Sequence, residues 1–164
     1  MSIAAEITER PEQPYIAVKA QVTMQAISAI ADRIPEVFGW LAAHGVAAAG
    51  PPFLKYNVID MARQLEIEAG VPVAAAVEGD DGMLSSVLPA GRYATTIYVG
   101  HPAKLVDATA ELLAWAAAQG LVFDVSETDA GERWGCRLEI YLTDPARQPD
   151  MDKWETQLAF LLAG

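Results

Sequence analysis

This chain of 164 residues has a single cysteine, two histidines, and half as many basic residues as acidic ones. With Cys136 alone no internal disulfide can form, which is compatible with a reducing compartment. A catalytic thiol would need a base. Only His44 and His101 could serve, and no local signature pairs either with Cys136. One cysteine and two distant histidines do not make a metal-ligand spacing, so no metal is expected. Gly-rich phosphate loops and a serine in a nucleophile-elbow context are absent too, and no cofactor is expected. Eleven Lys and Arg against 22 Asp and Glu leave a net charge of −11. That surface repels phosphate backbones and anionic membranes, so neither nucleic acid nor membrane is an expected partner. No uninterrupted apolar run reaches the ~18 residues of a membrane span. The start, Met1-Ser-Ile-Ala-Ala-Glu, lacks the basic and apolar regions of a signal peptide. A cytoplasmic protein is expected.

Apolar material, by contrast, is plentiful: 52% of residues are hydrophobic and 20% charged. A domain of this length buries roughly two-thirds of its unfolded surface, and no polar linker divides residues 1–164. The chain also repeats itself. Thr8-Glu-Arg-Pro11-Glu-Gln-Pro-Tyr15 matches Ser86-Val-Leu-Pro89-Ala-Gly-Arg-Tyr93 in the spacing of proline and tyrosine. Trp40 precedes Gly45 by the same distance as Trp115 precedes Gly120. Leu65-Glu66-Ile67 and Leu138-Glu139-Ile140 are each followed at equal distance by a proline, Pro72 and Pro145. These matches imply a duplicated unit, with repeat 1 over about 3–77 and repeat 2 over about 83–145.

Each repeat reads as strand, helix, strand, strand. Ile16, Val18, Ala20 and Val22 alternate with Tyr15, Ala17, Lys19 and Gln21, the period of a half-buried strand. A short helical turn over Met24–Arg33 leads to Pro35, which suits the first turn of a helix, and Gly45 suits its end. Phe53–Ile59 and Leu65–Ala76 read as strands, with a turn at Gly79-Asp-Asp-Gly82. In the second repeat Arg92–Val99 reads as the strand and Pro102 opens a helix ending at Gly120. Val122–Thr128 and Cys136–Leu142 read as strands, and about 151–162 as a terminal helix. The expected fold class is α+β: duplicated β-α-β-β units with pseudo-two-fold symmetry, an antiparallel sheet with helices on one face, and a ligand cleft between the halves.

Strand period also sorts the chemistry. Arg137, Glu139 and Tyr141 share the face opposite Leu138, Ile140 and Leu142, while Glu66 and Glu68 lie opposite Leu65 and Ile67. If helices cover the apolar faces, Glu66, Glu68, Glu139 and Tyr141 all point to the uncovered side. Tyr15, Tyr56, Tyr93, Trp134 and Tyr141 are more aromatics than a purely solvated face needs.

Leu88-Pro-Ala-Gly-Arg-Tyr93, Tyr98-Val-Gly-His101 before a helix holding Trp115, and Glu139-Ile-Tyr-Leu-Thr-Asp-Pro145 together resemble the GyrI-like effector-binding domain family. Gly50-Pro-Pro-Phe-Leu-Lys-Tyr56 and Glu68-Ala-Gly-Val-Pro-Val73 resemble its first repeat. The likeness runs in order from about Glu6 to the terminal segment. It implies a cleft where two pseudo-symmetric units meet. In regulators of the AraC and MerR types this domain senses lipophilic, often cationic drugs, through an acidic residue in an aromatic-lined pocket. Glu139 matches the acidic residue of the second repeat and Glu68 that of the first.

The expected ligand site is therefore Glu139 with Tyr141, Tyr56 and Glu68 near it, Trp134 at the rim, and Tyr93 and Trp40 contributing. No DNA-binding helix-turn-helix is expected beside the domain, which points to a stand-alone member acting as a monomer or weak dimer. Three functions compete. The leading one is a multidrug-type binding protein for lipophilic, cationic organic molecules. The second is a hydrolase of electrophilic natural products, with Glu139 as general base towards water and Tyr141 stabilising developing charge. The third is a protein-interaction module of the gyrase-inhibitor kind.

Overall fold

Alternation in the strand that ends at Val22 sends Ile16 and Val18 into one apolar layer and Tyr15 and Ala17 into another, so both faces of this strand are used. The computed structural model describes residues 4–60, 62–80 and 82–164. The expected repeat boundary at residue 3 and Asp81 of the Gly79–Gly82 turn lie outside the described residues. In chain order the elements are β1 (Ala5–Arg10), β2 (Gln13–Val22), α1 (Ile27–Ala31), α2 (Ile34–Ala43), β3 (Phe53–Ile59), β4 (Leu65–Pro72), β5 (Leu84–Leu88), β6 (Gly91–Val99), α3 (Leu105–Ala118), β7 (Val125–Thr128), β8 (Gly131–Trp134), β9 (Arg137–Tyr141) and β10 (Glu155–Leu161). All ladders are antiparallel, in the order β1-β6-β10-β9-β3-β4-β2-β5. The β7–β8 hairpin joins this sheet through β3.

That order is a palindrome of two similar halves that meet at β3 and β9. The first strand of each half pairs with the second strand of the other. Thr8 lies opposite Tyr93 just as Ser86 lies opposite Tyr15, so the proline–tyrosine match in the sequence is a structural equivalence. Trp40 in α2 and Trp115 in α3 match as well. Each helix is closed by a left-handed glycine, Gly45 at φ 68° and Gly120 at φ 72°, a conformation that costs glycine little.

The third match does not hold. Leu65-Glu-Ile lies in β4 and Leu138-Glu-Ile in β9, whereas the palindrome pairs β4 with β10 and β9 with β3. The expected helix over 151–162 is corrected with it. Met151–Lys153 is a single 3-10 turn and Glu155–Leu161 a strand between β6 and β9. The reason is burial on both faces. Leu158 and Phe160 pack towards the helices while Ala159 and Leu161 pack on the other side, so the two-residue period is hidden.

The helices lie on one face. α1 and α2 rest on β2 and β4, and α3 rests on β6, leaving the central strands β3 and β9 between them. Val37, Trp40, Leu41, Leu105, Ala108 and Leu112 fill the space beneath. The helix-free face carries a smaller buried cluster including Tyr15, Phe53, Tyr93, Cys136, Leu138 and Ile140. Gly70 belongs to that packing, since a Cβ there would stand 2.7 Å from the Phe53 ring and 3.2 Å from Tyr15. Among the described residues no helix is long and apolar enough to cross a membrane.

Candidate functional site

Residues directly opposite each other across a ladder share a face, so the registers decide which carboxylates meet. Leu54 lies opposite both Ala69 and Glu139, Ala69 opposite Val18, and Glu139 opposite Leu158. Val18, Ala69, Leu54 and Leu158 all belong to the helix-side core. Glu139 is thus one charge in an otherwise apolar row, at the junction of the halves. One residue along, Lys55 lies opposite both Glu68 and Leu138, and that row faces away from the helices. Glu68 and Glu139, expected on a shared face, point to opposite sides of the sheet.

Glu139 is half-buried, and the Tyr141 hydroxyl donates to its Oε1 at 3.0 Å. Burial raises the Glu139 pKa. The Tyr141 and Tyr56 phenols and the positive charge of Arg137 pull it back down without cancelling the rise. Tyr56 and Tyr141 are themselves pushed well above the ordinary phenol range, first by burial and then by the neighbouring carboxylate. Both therefore stay protonated at neutral pH and can donate. Palindromic pairing places Tyr56 in β3 as the counterpart of Tyr141 in β9, each two residues beyond the facing pair Leu54 and Glu139.

Arg137 shares the Glu139 face. Its guanidinium carbon lies 4.6 Å from the Trp134 ring centroid, 4.7 Å from Phe160 and 5.9 Å from Tyr56. Trp134, Phe160 and Phe123 pack edge-on and tilted against one another. Trp134 is only 6% exposed, so it lies beneath the surface and not at a rim. Its indole N–H has no hydrogen-bond partner among the described residues.

The structure thus gathers Glu139, Tyr141, Tyr56 and Trp134 on the helix side and leaves the other candidates elsewhere. Glu68, 5% exposed, accepts from Tyr15 at 2.5 Å and from Asn57 at 2.6 Å, with Lys55 Nζ at 3.6 Å. Tyr93 is buried in the helix-free cluster and donates to the Pro89 carbonyl at 2.7 Å. Trp40 packs under α2, donates to Asp80 at 2.6 Å and stacks on His44 at 3.9 Å. His44 caps the C-terminus of α2, and the His101 side chain accepts from Ala103 at a helix start. Among the described residues, no three His, Cys, Asp or Glu side chains converge as metal ligands. Two surface hollows lie elsewhere, one against residues 76–85 and one between Glu66 and Arg133, and Glu139 lines neither.

Arg137 and Phe160 stand beside the expected residues without having been expected there. Alternation along β9 does put Arg137 on the Glu139 face, which was the available signal. Phe160 was hidden by the helix expected there.

The profile of the GyrI-like family, GyrI-like small molecule binding domain, matches residues 4–160. No curated protein matches the sequence. Among solved structures, the EcmrR C-terminal domain superposes with a TM-score of 0.77 at 18% identity, covering 99% of each chain. EcmrR in its DNA complex gives 0.78 at 18% identity, and this chain, covered to 97%, spans 57% of that one. SAV2435 bound to tetraphenylphosphonium gives 0.69 at 9% identity, covering 99% of this chain and 95% of that one. A hydrolase from Listeria innocua gives 0.61 at 16% identity, with 99% and 93% covered. These likenesses are likenesses of fold.

Proposed function

The chain belongs to the GyrI-like small molecule binding domain family, and from that premise we propose that it binds lipophilic, positively charged organic molecules between its two halves, over Glu139. The observation that carries this reading is the placement of Glu139: one half-buried carboxylate in an apolar row, flanked by two phenols. A carboxylate held partly out of water is costly unless a positive partner arrives, which favours a cationic ligand. Tyr56 and Tyr141 offer ring faces, worth roughly 0.5–2 kcal/mol each to a bound cation. SAV2435, of the same fold, holds the lipophilic cation tetraphenylphosphonium. In this reading the protein is one domain of two halves, acting in the cytoplasm as a monomer or weak dimer.

A hydrolase is the second reading, favoured by the raised Glu139 pKa, which would suit a general base, and by the two protonated phenols beside it. One experiment separates the two. Lipophilic cations, tetraphenylphosphonium first, and electrophilic natural products are screened by thermal shift, and the same wells are read by mass spectrometry. Binding predicts a raised Tm with every compound mass unchanged. A compound that gains the mass of water in the presence of protein, and not with Glu139→Gln, would replace the binding reading by the hydrolytic one.

A further inference from the structure

Glu139 is not the sole charge on the helix-side face where the halves meet. Arg137, two residues earlier on β9, stacks over Trp134 and Phe160, with Tyr56 farther off. It is in no ion pair among the described residues, where the pairs are Arg33–Glu36, His44–Asp80, Lys55–Glu68 and Arg63–Asp60. Its side chain has no hydrogen bond there either. The Trp134 and Phe160 rings are inclined at 62° to each other, so the guanidinium can lie flat on one of them at most, and its five coplanar N–H groups meet no protein acceptor among the described residues. The adjoining Trp134 indole N–H is buried and also without an acceptor. The Trp134 indole thus lacks what a buried donor in a finished core has, while the half-buried Arg137 guanidinium has no protein acceptor.

The charges point the same way. One carboxylate and one guanidinium make a locally balanced pair of opposite signs that do not touch. A ligand carrying only positive charge would satisfy Glu139 and be repelled by Arg137. A ligand carrying both signs would satisfy both. We propose that Arg137 and the Trp134 indole N–H form an anion-receiving arm of the cleft, so that its ligand class is amphoteric. Such a ligand has a lipophilic, aromatic body, a positive centre held at Glu139, and a carboxylate held by the Arg137 edge. This proposal rests on the binding reading above and narrows it.

The test uses the full chain and three probes at neutral pH: tetraphenylphosphonium, rhodamine B with its free carboxylate, and the ethyl ester of rhodamine B. Wild type should bind rhodamine B about tenfold or more tighter than the ester, as a charge-assisted, bidentate pair provides. Arg137→Met, which keeps an apolar chain against the rings, should abolish that preference and raise the affinity for tetraphenylphosphonium. The Trp134 indole N–H resonance, assigned by its loss in Trp134→Phe, should move on adding rhodamine B and stay in place with the ester. The resonance and the wild-type preference need no variant at Arg137 to fold. Equal wild-type affinity for acid and ester, a preference that survives Arg137→Met, or an unmoved indole signal would each overturn the proposal. Wild type that binds rhodamine B but not tetraphenylphosphonium would support the anion-receiving arm and count against a site for simple cations. Wild type that binds none of the three would remove the binding reading itself.

Discussion

Glu68 and Glu139 sit in neighbouring rows of one sheet, yet only one of them is left with unmet demand. Glu68 has both oxygens engaged, by Tyr15 and Asn57, with Lys55 supplying the opposite charge. Lys55 also donates to Asn57 at 2.5 Å, so the cluster closes on itself. Glu139 has one phenol within hydrogen-bond distance, a second nearby, and a guanidinium that is busy with aromatic rings. A closed buried network stiffens the sheet and has little left to offer a ligand. A half-buried carboxylate with incomplete partners is the one that a ligand can complete.

Removing each carboxylate should therefore have opposite effects on stability. Glu68→Leu strands the Tyr15 hydroxyl, the Asn57 amide and Lys55, and should lower unfolding free energy by about 3–5 kcal/mol, as losing one partner of a buried pair does. Urea denaturation measures it, and a loss below about 1 kcal/mol would erase the distinction between the two sites. Glu139→Gln relieves a desolvated charge and should raise stability by about 1–2 kcal/mol at pH 8. Any destabilisation there would mean that Glu139, too, is structural.

Acid titration sharpens the same contrast. The Glu139 pKa is raised above its ordinary value of 4.5 in the folded chain. Between the two values the native state holds the extra proton, so stability falls as pH rises through that window. The difference between wild type and Glu139→Gln should accordingly be small at pH 4 and grow towards pH 8 at the expense of wild type. A difference that shrinks with rising pH would mean a lowered pKa and a satisfied carboxylate. A smaller effect is expected from Tyr141→Phe. It removes one hydrogen bond to Glu139 and should weaken tetraphenylphosphonium binding by about 0.5–1.5 kcal/mol, with Tm nearly unchanged. Stability falling by more than affinity would make Tyr141 part of the core.

Much of this architecture was legible in the chain. Proline, tyrosine, tryptophan and glycine spacings announced the duplication, because each marks a backbone event, a turn or a helix end, that the two halves share. Two things were not. Glu155–Leu161 hides its period because it is buried on both faces. The likeness of Leu65-Glu-Ile to Leu138-Glu-Ile equated strands that the palindrome keeps apart, and this put Glu139 and Tyr141 on the helix-free side, where Glu68 lies, although both face the helices. Which face a strand shows is set by cross-strand register, and register depends on partners far away in the chain. Glu139 could be singled out from its own strand and motif. Arg137 gains meaning only beside Trp134 and Phe160, which reach it from two other strands.

The most direct test of Glu139 as the charge that a ligand completes is calorimetry with a matched pair, tetraphenylphosphonium and neutral triphenylphosphine oxide, on wild type and Glu139→Gln. The cation should lose about 1–3 kcal/mol of binding free energy, the range for a contact with a charged group, and the neutral compound markedly less. Equal losses for both, or no loss for either, would contradict the account.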